Sequence, residues 1–256
     1  MFQSIGAWFS NNTEFAVLVI IGTVIFFLLP ARPRPRPLGG AAPDLDAVAA
    51  RAEALGWKFE RKHDLSRGYA IVGALPSGAP WKLTYSVQSD ESGTDHRLEW
   101  RTTSVKAKQT ELLIAGKAIY AYRKNPMMSV STGLAAGAAK LFQNDSGRAD
   151  TNKWIEDLAT FLWKARECAM GSARFRERFV VAALSGAESR LTLDGELEKL
   201  ICDWPRLDAA PFDAEQRFAA WLEAMGLRIE FEIEDPPLPI VEHFVRVGIA
   251  LAARIR

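Results

Sequence analysis

The sequence predicts an α+β fold: one N-terminal transmembrane helix, then a mainly antiparallel sheet with packed helices. Three observations carry that expectation. An uncharged apolar run, Phe15 to Leu29, is followed at once by Arg32, Arg34 and Arg36. Apolar residues alternate with polar ones through 57–104 and again through 227–233, the period of half-buried strands. Apolar stripes at helical spacing flank these stretches.

The N-terminal run reads FAVLVIIGTVIFFLL. At 1.5 Å per residue it covers about 22 Å, short of the ~30 Å hydrocarbon core, and extending it over 12–31 reaches the usual ~20 residues. Such a short span stands nearly upright. The anchoring side chains are Phe15, Val17, Leu18, Val19, Ile20, Ile21, Val24, Ile25, Phe26, Phe27, Leu28 and Leu29. A cleaved leader would need a basic region ahead of the run, and Met1 to Glu14 contains no Lys or Arg. A buried core helix is the rival reading, and a run so free of polar residues on any face disfavours it. Positive flanks stay on the cytoplasmic side, so Arg32, Arg34 and Arg36 place the N-terminus outside and the following domain in the cytoplasm. The Arg-Pro alternation over 32–37 makes a stiff polyproline II spacer whose arginines face anionic lipid headgroups. It also reads as a simple stop-transfer flank, or as a Pro-rich ligand for a partner module. The predicted organisation is an outer segment and anchor over 1–31, an Arg/Pro linker over 32–43, and a cytoplasmic α+β domain over 44–256 with an insertion near 116–150.

Within that domain Asp44 reads as an N-cap, with Leu45, Val48, Ala49, Ala52 and Leu55 at helical spacing and Gly56 as the stop. Trp57, Phe59 and Arg61 then alternate with Lys58, Glu60 and Lys62. Tyr69–Leu75 and Trp81–Val87 flank Pro76–Pro80, a hairpin by composition. Asp90–Asp95 reads as a polar turn, Arg97–Ser104 as a strand with Leu98 and Trp100 inward, and Leu112–Ala115 as a short fifth strand of an antiparallel meander with one wet face. Over 116–150 the pattern breaks into a small-residue stretch and a polar one. A helical stripe resumes at Trp154, Ile155, Leu158, Phe161, Leu162 and Ala165. Phe179–Leu184 reads as a strand, and Leu197, Leu200, Ile201 and Trp204 as a helix stopped by Pro205. Asp213 and Gln216 resemble a capping box opening a helix through Phe218, Trp221, Leu222 and Met225 to Gly226. Leu227, Ile229, Phe231 and Ile233 alternate with charges, and Ile240–Ile255 forms a last helix.

Residues 49–60 echo residues 219–230, each reading as helix, Gly cap and strand. A duplicated half or convergence of two tight αβ units would each produce this. Charge is uneven: twelve basic against seven acidic residues between Trp57 and Lys124, eight against fourteen between Ser185 and Arg256. A pole facing anionic lipid, or mutual attraction of the two halves, accounts for it. Net charge of +1 gives no general pull toward nucleic acid. Two cysteines, Cys168 and Cys202, exclude a disulfide scaffold and a cysteine zinc site; counting leaves a single Cys168–Cys202 bridge open, but in the cytoplasm two reduced, mostly buried thiols are expected.

The candidate sites are few. His63, His96 and His243 stand at no metal-binding spacing. Gly133 to Lys140 resembles a phosphate loop but lacks the Lys-Ser/Thr ending and a leading strand. Met127, Met128, Leu134, Leu141 and Phe142 instead suggest a partner or interfacial surface. Glu230, Glu232 and Glu234, with Asp235, could hold a hard cation, or form the solvated face of a strand opposite Lys82 or Arg97. Trp57, Phe59, Trp81, Tyr85 and Trp100 could line an apolar pocket, or simply be core. No catalytic, cofactor or metal residues are expected.

The stretch Phe175-x-x-x-Phe179-x-Val181, followed by Glu188-x-x-Leu191-Thr192 and Leu197-x-x-Leu200, resembles part of an uncharacterised bacterial membrane-anchored family with a soluble domain of unknown function. The resemblance covers ~30 residues, and the second transmembrane helix of that family is not found here. It implies a bacterial inner-membrane protein and supplies no site residues. The expected role is a non-enzymatic, single-pass accessory or scaffold subunit that binds lipid and another membrane protein or complex, without nucleic acid. The alternative is a membrane-anchored lipid or small-ligand binder.

Overall fold

The computed structural model describes residues 44–61, 68–90, 93–124, 160–205 and 217–256. The anchor over 14–29, the arginines of the linker, and Met127, Met128, Leu134, Leu141 and Phe142 lie outside these ranges. No helix among the described residues is long and apolar enough to cross a membrane. The described residues divide into two units. The smaller holds the end of the helix over Lys117–Lys124 and the helical residues 160–163, where Phe161 is buried and Trp163 is 81% exposed. The larger contains the whole sheet.

Among the described residues that sheet has nine strands, β1 (Lys58–Arg61), β2 (Tyr69–Ala74), β3 (Pro80–Asp90), β4 (Gly93–Thr102), β5 (Leu112–Gly116), β6 (Arg166–Cys168), β7 (Phe179–Ala183), β8 (Phe218–Glu223) and β9 (Gly226–Glu232), in the order β1-β2-β3-β4-β9-β8-β5-β7-β6 with every pair antiparallel. The mixed α+β class and the large antiparallel sheet are therefore as the sequence predicts. Helix α1 (Leu45–Ala54) is capped by the Asp44 carboxylate, which accepts from the Asp46 amide at 2.9 Å. Gly56 closes the helix at φ 73°, a left-handed backbone that favours glycine. Strands β1 (Lys58–Arg61), β2 (Tyr69–Ala74), β3 (Pro80–Asp90) and β4 (Gly93–Thr102) form the expected meander. The β3–β4 hairpin is tighter than the predicted polar turn, because pairing continues to Asp90 opposite Gly93.

The second half departs further from the sequence reading. Strand β5 (Leu112–Gly116) is not the fifth strand of a meander; it lies between β8 and β7 with all five residues buried. Helix α2 (Lys117–Lys124) follows it directly. The rest of the predicted insertion, together with Trp154, Ile155 and Leu158, lies outside the described residues. Strand β6 (Arg166–Cys168) and the short helix α3 (Ala173–Arg178) were not anticipated, whereas β7 (Phe179–Ala183) was. A 3-10 turn over Ala187–Arg190 leads to α4 (Gly195–Cys202), the helix expected before Pro205.

Residues 218–223 correct the expected helix: they are β8 (Phe218–Glu223), paired in a hairpin with β9 (Gly226–Glu232). All six are buried, so their two faces carry little contrast, and an apolar run buried on both sides cannot be told from a helix by periodicity. Gly226 is a hairpin residue at φ 126°, and a Cβ there would lie 2.1 Å from the Thr102 carbonyl oxygen. The echo between 49–60 and 219–230 therefore joins a helix-Gly-strand to a strand-turn-strand and is no duplication. Asp213 and Gln216 lie outside the described residues. Helix α5 (Leu238–Arg254) closes the chain as predicted.

The helices α1, α3, α4 and α5 join the first face of the sheet in one apolar core. Tyr69, Ile71, Trp81, Leu83, Tyr85, Leu98, Trp100, Ile229, Phe231, Phe218 and Ile114 meet Val48, Phe175, Ile201, Phe244 and Leu251 there. Helix α5 crosses β4 so closely that a Cβ on Gly248 would stand 2.5 Å from the Trp100 ring. The layer of helices is tied at its ends: Arg51 Nε meets Glu242 Oε1 at 2.7 Å, and Arg254 Nε meets Asp194 Oδ2 at 2.6 Å.

Candidate functional site

The strand pairing stacks side chains in rows across the second face. One row runs Lys58, Val72, Lys82, Arg101, Arg228, Trp221, Leu113, Ala182; the next runs Glu60, Ala70, Thr84, Glu99, Glu230, Ala219, Ala115, Val180. The face thus passes from charged on the β1–β4 side to apolar on β8, β5 and β7. At the change-over lies an ion cluster. Arg228 is 5% exposed, with Nη2 2.5 Å from Glu223 Oε1 and Nη1 3.0 Å from Glu230 Oε2. The Trp221 indole N–H donates to Glu230 Oε1 at 3.2 Å, and the guanidinium lies 5.7 Å from the centre of that ring. Burial works against the Arg228 charge, but Glu230 and Glu223 overcome it and hold the guanidinium above its usual range.

This corrects the reading of Glu230 as part of a solvated face: it is 8% exposed. The alternation is present, but on β9 the polar side is buried as well, with Arg228 5% and Glu230 8% exposed. Nor do Glu230, Glu232 and Glu234 form a cation site. Glu230 is committed to Arg228, Glu232 stands opposite Arg97 in register, and Glu234 lies in the turn beyond β9. Among the described residues no group of His, Cys, Asp and Glu could hold a metal ion.

A second polar cluster lies at the end of the first face. The Tyr85 hydroxyl is 2.9 Å from His96 Nδ1 and 3.3 Å from Asp235 Oδ1, and it accepts from the Asp235 amide at 3.0 Å. His96 Nε2 is 3.9 Å from Glu234 Oε1. Asp235 has φ 41°, a left-handed conformation in a residue with a side chain, so the turn into α5 is mildly strained and is held by the Tyr85 oxygen. Burial is the main cause that pushes the Tyr85 phenol up to about 12, partly offset by the Asp235 amide. Tyr69 is also raised by burial, and its hydroxyl, like Trp81 Nε1 and Trp100 Nε1, is buried with no hydrogen-bond partner.

The five aromatics proposed to line a pocket are not gathered round a hollow. Trp81, Tyr85 and Trp100 are fully buried in the first-face core, Trp57 meets Trp81 edge-on at 5.2 Å, and Phe59 stacks on Tyr69 at 5.7 Å. A shallow hollow of about 220 Å³ lies instead between α3 and α4, lined by Ser172, Arg174, Phe175, Glu198, Lys199 and Cys202. Its polar groups are largely committed: Glu198 accepts from the Ser172 amide at 2.9 Å and Arg174 bonds Asp203 at 2.6 Å. Cys202 is buried and Cys168 half-buried, both as free thiols, and burial pushes both up. His243 Nε2 meets the Leu200 carbonyl at 2.7 Å beside the Trp204 ring, and His63 lies outside the described residues.

Neither cluster was picked out by sequence reasoning. Tyr85 and His96 would meet only if the β3–β4 hairpin were tight, and the broad turn read over 90–95 hid that register. The basic member of the ion cluster, Arg228, stands in the alternation, but nothing in the sequence marks it as buried between carboxylates. No family model matches the chain, and neither a curated protein nor a solved structure matches it.

Proposed function

We propose that the chain is a single-pass, membrane-tethered accessory or scaffold subunit of a bacterial inner membrane. Its cytoplasmic domain binds another membrane protein or complex at the inner leaflet. The uncharged run Phe15–Leu29 and the arginines at 32, 34 and 36 supply the tether and its orientation. The resemblance carried by Phe175 to Leu200 agrees with that setting.

One observation favours a binding scaffold over the rival ligand binder. The aromatic face that would enclose an apolar ligand is filled by α5, down to a Gly248–Trp100 approach that leaves no room for one methyl group. The interior is occupied by packing, and the surface remains to meet a partner. The test is affinity purification of the full chain from membranes in mild detergent. A stoichiometric membrane-protein partner is the expected result. A clean monomer overturns the scaffold reading, and a monomer carrying bound lipid turns it toward the ligand binder. A C-terminal phosphatase fusion checks orientation, with low periplasmic activity expected.

A further inference from the structure

The cluster at the end of the first face has a feature of hydrogen-bond counting. The Tyr85 hydroxyl has one proton and two acceptors within reach, His96 Nδ1 at 2.9 Å and Asp235 Oδ1 at 3.3 Å. It can satisfy only one at a time. Its own oxygen already accepts from the Asp235 amide at 3.0 Å and has one more lone pair.

We propose that His96 and Tyr85 form a pH-sensitive hydroxyl switch that clamps the turn between β9 and α5. With neutral His96, Nδ1 is the acceptor. The Tyr85 O–H points to it, and the ring proton sits on Nε2, toward Glu234. When His96 takes up a proton from water, Nδ1 becomes a donor to the Tyr85 oxygen. The hydroxyl must then turn away, and its other acceptor is the Asp235 carboxylate. No covalent bond between heavy atoms changes; one proton is gained at Nδ1 and one O–H rotates.

The groups facing His96 among the described residues fit both states. Glu234, half-exposed and 3.9 Å from Nε2, lies close enough to attract the charged ring. Asp235 takes the released hydroxyl, and Tyr69, packed on Tyr85 at a ring distance of 5.4 Å, is a neutral phenol. The Tyr85 phenol, raised to about 12, keeps its proton throughout the range in which a histidine titrates. His96 itself is part-exposed. In both charge states the strained Asp235 backbone stays tied to Tyr85, so the turn survives while the carboxylate changes its partner.

The test is nitrogen-15 NMR of the full chain in detergent with labelled histidine. Only three histidines are present, and H96Q assigns the signal. Where His96 is neutral, the Nε2–H tautomer is expected. The Asp235 carboxyl carbon, followed by carbon-13 NMR, is expected to move with the same midpoint as the His96 ring, and Tyr85→Phe is expected to abolish that coupling. An Nδ1–H neutral tautomer in the unaltered protein overturns the proposal without any variant. So does an Asp235 response that persists in Tyr85→Phe, which would show a field effect of the charged ring rather than a hydroxyl rotation.

Discussion

Along β9, Leu227, Ile229 and Phe231 enter an all-apolar layer under α5, whereas Arg228 and Glu230, each one residue away, are buried among charges. Depth does not separate them, since all five are less than a tenth exposed. The limiting quantity does. On most of the first face it is shape, because dispersion and apolar burial reward filled space and the apolar side chains under α5 need no specific partner. On the second face it is pairing, because a desolvated charge is tolerated only while its counter-charges stay in place. The two faces should therefore fail in different ways when altered.

The largest effect is expected on the second face. Arg228→Met keeps much of the side-chain volume but leaves the Glu223 and Glu230 carboxylates without their shared cation. Breaking a buried pair by removing one member costs about 3–5 kcal/mol. A urea midpoint should fall accordingly. The sharper comparison replaces the whole cluster, as in E223L/R228M/E230L. If pairing rather than volume limits this face, the triple variant loses much less stability than the single one. Equal losses would show that the cluster's space, not its charge, is what matters.

The first face should respond to a methyl group. Gly248→Ala gains about 1 kcal/mol of helix propensity but pushes a Cβ into the Trp100 ring, which is fully buried and cannot swing aside. Overpacking of this kind costs about 1–3 kcal/mol, so a net loss of about 1–2 kcal/mol is expected. Combining it with Trp100→Phe tests the cause. If contact with the ring is the problem, the double variant is more stable than the sum of the two single changes predicts.

How far the sequence showed this difference depends on contrast along each strand. In β3, Trp81, Leu83 and Tyr85 alternate with Lys82, Thr84 and Ser86, and both the strand and its inward face were legible. Strand β8 reads Phe-Ala-Ala-Trp-Leu-Glu, apolar on both sides, and its alternation disappeared into a helix-like pattern. Strand β9 kept its alternation but not its meaning. A charge at every second place looks solvated unless the neighbouring strands are known, and β8 was not. The polar cluster at Tyr85 was invisible for a related reason: side chains 11 residues apart meet only through a register fixed by the hairpin's length. The helix ends fared better, because Asp44, Gly56 and Pro205 act within one turn and need no distant partner.

The smallest effect is a drift with pH, and it probes the first face where that face is not wholly apolar. His243 of α5 is buried against Trp204 with Nε2 at the Leu200 carbonyl. Burial is the main cause holding it below its usual range. The Leu200 carbonyl works the other way, Arg246 adds to the lowering, and Asp203 opposes it. The folded protein therefore binds this proton less readily than the unfolded chain, whose histidine titrates near 6.5. Its contribution to stability is complete above that pH and is lost as pH falls below it, toward the depressed folded value. The unaltered protein should lose stability between pH 8 and pH 5.5, measured by urea midpoints. His243→Gln, neutral at both values, should show a shallower loss over the same window. Identical slopes would mean that the ring is charged in the folded state and that the first face holds a cation after all, which would dissolve the distinction between the two faces at the α4–α5 contact.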